Sequence, residues 1–376
     1  MSIRRLTAVV ATVAVLLTPA PALATEQVTG HAGDGLWRQL NTRGQGPSER
    51  SAPAAAGIGR HVYVFGGVFD DFASGQNTFL NDLYRLDTRR LRWRPVHPSG
   101  PVPPARAFAA AASHQAYQRM YVFGGSTFNP EGTEFTAFGD LWAFDTRRSR
   151  WRQVEPINQG PSPRSGAVMW TAGNRLYVFG GIDATFATHN DLWAFGIGSR
   201  RWKQLTADGD PSAPPPRHVA QAGRTAAGGV LTLYGGEGLD PEVGFTVLPD
   251  TWQYDLATGA WHEVSPLGDI EPPRNYGVAA VIDDAVYLQG GDVPGGDAGC
   301  GAPFPQNPTE QLWRFDQAAG SWQQLQPRGD PLPALKRHAA VVVRDSMYVV
   351  SGWDFQCEDG QGPGQLWNLE VFAFHP

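Results

Sequence analysis

Three runs of the chain are apolar until they stop at a pair of glycines: YVFGG stands at 63–67, 121–125 and 177–181. Looser copies, TLYGG, YLQGG and YVVSG, end at Gly236, Gly291 and Gly352, so the closing glycines lie 58, 56, 55, 55 and 61 residues apart. A period of this length predicts repeated structural units. After each glycine pair comes a loop and then a second apolar run: DLYRLD at 82–87, DLWAFD at 140–145, DLWAFG at 191–196, DTWQYD at 250–255 and QLWRFD at 311–316. Nine residues beyond the aromatic of each run stands a tryptophan: Trp93, Trp151, Trp202, Trp261 and Trp322. The loops vary in length and this spacing does not, so the two aromatics hold fixed places in a strand–turn–strand unit. Before the glycine pairs lie further apolar stretches introduced by proline and arginine, such as PPARAFAAAA, PSPRSGAVM, PPPRHVAQA and EPPRNYGVAA. Each repeat therefore predicts four short strands bounded by Gly, Pro, Asn and Asp, with no sustained helical period.

Four strands per repeat, a glycine pair and a fixed tryptophan resemble the kelch repeat, and the resemblance covers nearly the whole chain. It implies an all-β, six-bladed kelch-type β-propeller with four-stranded blades. The glycines are expected to serve tight turns beside a packed neighbour, and Ser351 in the sixth copy predicts a less strained turn there. The sixth repeat lacks its tryptophan strand, while GLWRQL at 35–40 is a tryptophan strand with nothing before it. The economical expectation is that 35–40 completes the last blade and closes the ring. Its third strand is either QLWNLE or EVFAFH.

Residues 1–24 read as a signal peptide: Arg4 and Arg5 precede an apolar stretch at 6–17 and the small-residue site ALA at 22–24. Residues 25–376 then form the propeller, with blades at 50–93, 104–151, 163–202, 216–261, 273–322 and 335–376 plus 35–40. An exported protein, secreted or periplasmic and without a transmembrane segment, is expected. The formal charge of −6 becomes −8 without Arg4 and Arg5, which argues against nucleic-acid binding. Cys300 and Cys357 fall in the post-glycine loops of neighbouring blades in an oxidising compartment, so a disulfide is expected. A copper centre such as galactose oxidase carries on kelch-type blades would need a tyrosine–histidine set, and none aligns; no metal or other cofactor is expected.

The post-glycine loops and the PxPR segments share one face of the disk. The loops are rich in carboxylates, including Asp70, Asp183, Glu237, Asp292 and Asp354, and in aromatics, including Phe72, Phe135 and Trp353, and hold no lysine or arginine. Rings beside carboxylates suit a glycan or a peptide. On the same face stands one arginine per repeat: Arg50, Arg106, Arg164, Arg217, Arg274 and Arg337. Kelch domains that bind acidic peptides use such arginines for carboxylates, although an arginine in every repeat also reads as a salt bridge to the next blade. On the opposite face, TRRLRWR, TRRSRWR and SRRWK collect positive charge under the first three blades. They read as solvated turns, with weak contact to an anionic envelope polymer as the alternative.

No nucleophile elbow, HExxH, EF-hand or phosphate loop occurs. The leading expectation is a binding module for a glycan or peptide. The alternative is a sugar-modifying enzyme resembling the exported sialic-acid mutarotases, with Glu237 or Glu242 as acid/base and Arg217 as anion holder.

Overall fold

The computed structural model describes residues 33–129, 132–225, 229–269 and 271–376, and the expected signal peptide lies outside them. Every regular element in these residues is a β-strand, and none of their segments is a helix long and apolar enough to cross a membrane. The chain winds through six antiparallel blades. The first uses Ala54–Ile58, His61–Asp71, Gln76–Asp87 and Arg92–Val96 in sequential order, and blades two to five repeat that order. The innermost strands touch their neighbours in cyclic order, and Ala339–Val343 of blade six returns to Ala54–Ile58 of blade one.

Closure follows the expected route. Leu36–Leu40 pairs antiparallel with Val371–His375, from Leu36 opposite His375 to Leu40 opposite Val371. EVFAFH is thus the third strand of blade six, while Gln361–Trp367 pairs with Trp353–Glu358 in a two-stranded ribbon above the blade. A parallel stub, Arg328–Gly329, ties the N-terminal strand to the segment leaving blade five.

The apolar runs have no polar alternation because both faces of each strand are covered. In VYVF, Val62 and Val64 pack against blade six, while Tyr63 and Phe65 pack against Phe144 and Trp151 of blade two. The six largest core clusters are the six junctions between consecutive blades. The periodic tryptophan sits at the centre of this scheme. Trp202 touches Phe195 of its own blade and Phe123 of the preceding one, and Trp151, Trp261 and Trp322 do the same with their counterparts. Trp37 takes the equivalent place in blade six, with its ring 5.1 Å from Phe374.

The glycine pair is where one blade meets the next. Gly66 and Gly67 have φ of 62° and 99°, and a Cβ on Gly66 would lie 2.8 Å from the Arg106 carbonyl oxygen. Gly67 N–H donates to that same carbonyl, and the bond recurs from Gly125 to Arg164, Gly181 to Arg217 and Gly236 to Arg274. Gly291 donates to Leu335, and Gly352 to Arg50 across the closure. Ser351 does not relax its turn: it keeps φ at 61°, because the approach of blade one imposes the same path.

Candidate binding site at the channel mouth

The inter-blade hydrogen bonds set a register for the segments that open each blade. The carbonyls that receive them belong to Arg50, Arg106, Arg164, Arg217 and Arg274, and in blade six to Leu335. Arg337 is therefore not the sixth repeat arginine. It lies two places further on, where the other blades have Ala52, Phe108, Gly166, Val219 and Tyr276. All six residues of that ring have φ between 47° and 64°.

The repeat arginines face inward. Arg106 donates to both Asp140 carboxylate oxygens, at 2.5 and 2.9 Å, and to the Gly124 carbonyl at 2.9 Å. Arg50, Arg164 and Arg217 do the same with Asp82, Asp191 and Asp250. Arg274 instead contacts Glu271 and donates to Gln311 and the Gly290 carbonyl. The carboxylate or amide also accepts the indole N–H of the aromatic two residues on, from Trp142, Trp193, Trp252 and Trp313. This explains the D-L-W pattern. The expectation that Arg106, Arg164, Arg217 and Arg274 hold a ligand is thereby corrected. They are at most 2% exposed, and their charges are satisfied within their own blades. The expected side-chain bridge to a neighbouring blade is also replaced, since only the backbone carbonyl crosses.

One place after the inward arginine, Ser51, Ala107, Ser165, His218, Asn275 and Lys336 pair with the residues just past the glycines: Val68, Ser126, Ile182, Glu237, Asp292 and Trp353. Side chains from these rings and the loops beside them surround a cavity of about 790 Å³. Its charged lining comes from Asp70 and Asp71 of blade one, Glu237 of blade four and Arg337 of blade six, with a buried ion pair behind Arg337. Lys336 Nζ lies 2.5 Å from Asp292, while Arg337 Nη1 donates to Asp70 of blade one at 2.8 Å. Arg337 also lies over the Tyr276 ring, 4.7 Å from its centroid. Glu237 faces His218 Nε2 at 3.2 Å and accepts from Asn275 Nδ2 and the Tyr276 hydroxyl.

Burial works against every charge in this cluster, and its partners decide the outcome. For Glu237 the penalty of burial is outweighed by His218, Arg337 and Asn275, so its carboxyl sits below its ordinary value. Burial raises Asp70 despite Arg337 and Ser51. It pushes Lys336 down to about 8, with Asp292 opposing. Arg337 stays above its ordinary value because Asp70 and Tyr276 offset its burial.

Above this polar floor stand the phenylalanines of the loops. Phe135 stacks on Phe186 at 5.2 Å and tilts against Phe128 at 5.0 Å. Phe245 and Phe186 are each 46% exposed, and Phe72 and Phe79 line the blade-one side.

Other expected site residues serve the scaffold. Asp183 caps its own loop through the Thr185 and Ala187 N–H groups and meets His189. Trp353 is fully buried beneath Lys336, so it presents no ring to a ligand. Asp354 is buried and accepts from Phe355 N–H and Gln356. Glu242 is exposed in the turn between Glu237–Asp240 and Gly244–Val247. The pairing of Glu237 with Arg217 is corrected as well: Arg217 is locked on Asp250, and Arg337 is the arginine in the cavity with Glu237. The acid cluster His189, Asp191 and Asp208 is engaged, with Asp191 on Arg164 and His189 between Asp183 and Asp208.

Cys300 and Cys357 form a disulfide with Cα atoms 5.9 Å apart. It joins the ribbon Asp292–Gly299/Ala302–Pro308 of blade five to that of blade six, and Gln365 then bonds the backbone of Phe72 and Asp70 in blade one. The charged side of the mouth is thus tied together across three blades.

Residues 54–291 match the KLHDC2/KLHL20/DRC7 Kelch-repeats domain. The chain belongs to the kelch-repeat family. Kelch domain-containing protein 3 of Mus musculus is 30% identical over 55% of the chain and 53% of its own length. Host cell factor homolog hcf-1 of Caenorhabditis elegans is 26% identical over 85% of the chain and 42% of its length. N-(sulfonatooxy)prop-2-enimidothioate sulfolyase of Thlaspi arvense is 27% identical over 69% of the chain and 75% of its length. The kelch chain spans about half the length of the first two of these relatives. Its architecture is a closed ring of blades that carries variable loops on one face, where binding residues concentrate in such scaffolds.

His218, Asn275, Tyr276 and Lys336 were not singled out by composition or motif. The signal that finds them is positional: they follow the repeat arginine by one or two places, where the other blades carry mostly small or apolar residues.

Proposed function

We propose that this kelch propeller is an exported binding module whose channel mouth takes a segment of a partner peptide. The observation that carries the reading is the two-part cavity, with phenylalanines on its walls and Arg337, Asp70 and Glu237 on its floor. Several phenylalanines side by side make a continuous apolar wall that takes the apolar side chains of a peptide. The floor supplies the donors and acceptors that orient a polar group. Export is supported by the leader-like residues before 25 and by a disulfide between blade ribbons, a bond that persists in oxidising compartments.

Screening the mature protein against peptide and glycan arrays tests this reading. A peptide hit is expected, weakened by about 1 kcal/mol or more per true anchor in Phe135→Ala and Phe186→Ala. Glycan hits alone, or a peptide hit indifferent to both variants, would refute it. The second reading, a sugar-modifying enzyme, draws on Glu237, held in the cavity by His218 and Tyr276. It also draws on the sulfolyase relative, an enzyme by its name. Turnover of a free sugar that Glu237→Gln abolishes would decide for it.

A further inference from the structure

At the end of blade one away from the mouth, five arginines surround a pocket of about 190 Å³. Their convergence follows from strand register. Tyr63, Arg85 and Arg94 occupy one cross-strand row, and His61, Asp87 and Arg92 occupy the next. Residues two apart point to the same side of a sheet, so Arg85, Arg92 and Arg94 share one face. The two turns at this end add Arg60 and Arg90. One carboxylate faces the group: Asp87 lies 3.3 Å from Arg60 and 3.5 Å from Arg90. Among the described residues, Arg85, Arg92 and Arg94 make no ion pair with any carboxylate. The excess charge is felt locally: burial lowers His61, and Arg85 and Arg60 lower it further against the pull of Asp87.

The basic surface continues past this pocket. Under blade two, Arg119 and Arg148 share Asp145, with Arg147, Arg150 and Arg152 close in sequence. Under blade three, Arg175, Arg201 and Lys203 occupy the matching register positions, and Gly196 stands where the other two blades have an aspartate. In blades four and five the matching turns carry no base, reading ATG at 257–259 and AAG at 318–320. Half of this face therefore carries repeated positive charge, although the whole chain is acidic.

We propose that the underside of blades one to three binds a linear inorganic polyphosphate chain, with one phosphate seated among the arginines of blade one. Guanidinium forks match phosphate oxygens with paired hydrogen bonds. Several bases spread over three blades suit a repeating charge better than a single ion. The net negative charge elsewhere on the disk is screened beyond a Debye length of about 10 Å at 0.1 M salt, so the local patch governs contact. The surface lies on the opposite face from the mouth, and the proposal does not depend on the peptide reading.

The test is fluorescence anisotropy of the mature protein with labelled inorganic polyphosphate at rising salt, alongside inorganic phosphate, phosphatidylglycerol vesicles and duplex DNA. Binding to polyphosphate is expected, with affinity that falls steeply with salt. Removing two pocket bases in R85Q/R94Q is expected to weaken it by about tenfold or more, and R148Q/R201Q by several-fold. Asp87→Asn removes the one opposing carboxylate and is expected to tighten binding, a gain that misfolding would not produce. Phe135→Ala and Phe186→Ala should leave it unchanged. Absence of polyphosphate binding at low salt, or indifference to R85Q/R94Q, would overturn the proposal. Vesicles or DNA bound more tightly than polyphosphate through the same arginines would overturn it too, by assigning the surface to another partner.

Discussion

Arg164 and Arg337 both stand at the head of a blade, and they do opposite work. Arg164 is a buried strut, bonded to Asp191 and the Gly180 carbonyl, whereas Arg337 points into the mouth. Replacing Arg164 with Met leaves the Asp191 carboxylate buried without its partner. It is expected to cost about 3–5 kcal/mol in urea unfolding, while Arg337→Gln costs less, because its largely buried partner Asp70 borders the cavity, where water can reach it. Equal losses would show that Arg337 is a strut as well. Lys336 provides a pH test. Its folded pKa is about 8 against 10.5, so between these values the unfolded chain binds the proton and the folded chain does not. Stability should therefore rise across that window, by up to about 1 kcal/mol per pH unit, while below pH 8 the penalty is complete and constant. The tyrosines act the other way above pH 10 because burial raises them. The informative quantity is thus the difference between the wild type and Lys336→Gln in denaturant melts. Parallel slopes would contradict the burial of Lys336 as a cation.

The ribbons that rise above the blades carry the walls of the mouth, and each ribbon alone is only two strands. A two-stranded ribbon is marginal in water, so these need ties. Cys300–Cys357 links two of them, and Gln365 links the second to blade one. Changing both cysteines to serine is expected to cost about 2–4 kcal/mol and to weaken ligand binding at the mouth. Proteolysis should also quicken within 292–308 and 353–367. Non-reducing peptide mapping of the native protein should find one linked pair and no free thiol. Unchanged proteolysis would mean the ribbons are held by packing alone. The strand positions, the glycine turns and the tryptophan spacing could all be read from the chain, because each repeats and each obeys short-range geometry. Ser351 misled because its backbone path is imposed by Arg50 of another blade, a contact that local propensity does not encode.

The ring is closed by Leu36–Leu40, which supplies the outer strand and the tryptophan of blade six. Deleting this strand bares the edge of Val371–His375 and removes Trp37 from the junction with blade five. The melting temperature should fall by several degrees in one cooperative transition, since each blade is packed on two neighbours. Circular dichroism would show it, and an unchanged curve would refute the closure. From residues alone, the repeat period, the four-stranded blade, the terminal closure and the disulfide partners were all accessible. They rest on patterns that recur along the chain, or, for the cysteines, on loops that follow from those patterns. The third strand of blade six, the inward turn of five arginines and the gathering of His218, Glu237, Tyr276, Arg337 and Asp70 at one mouth were not. Glu237 and Arg337 are a hundred residues apart, and Asp70 is further still from Arg337. What unites them is a two-residue offset in register, set by hydrogen bonds between blades, and only the folded ring makes that offset visible.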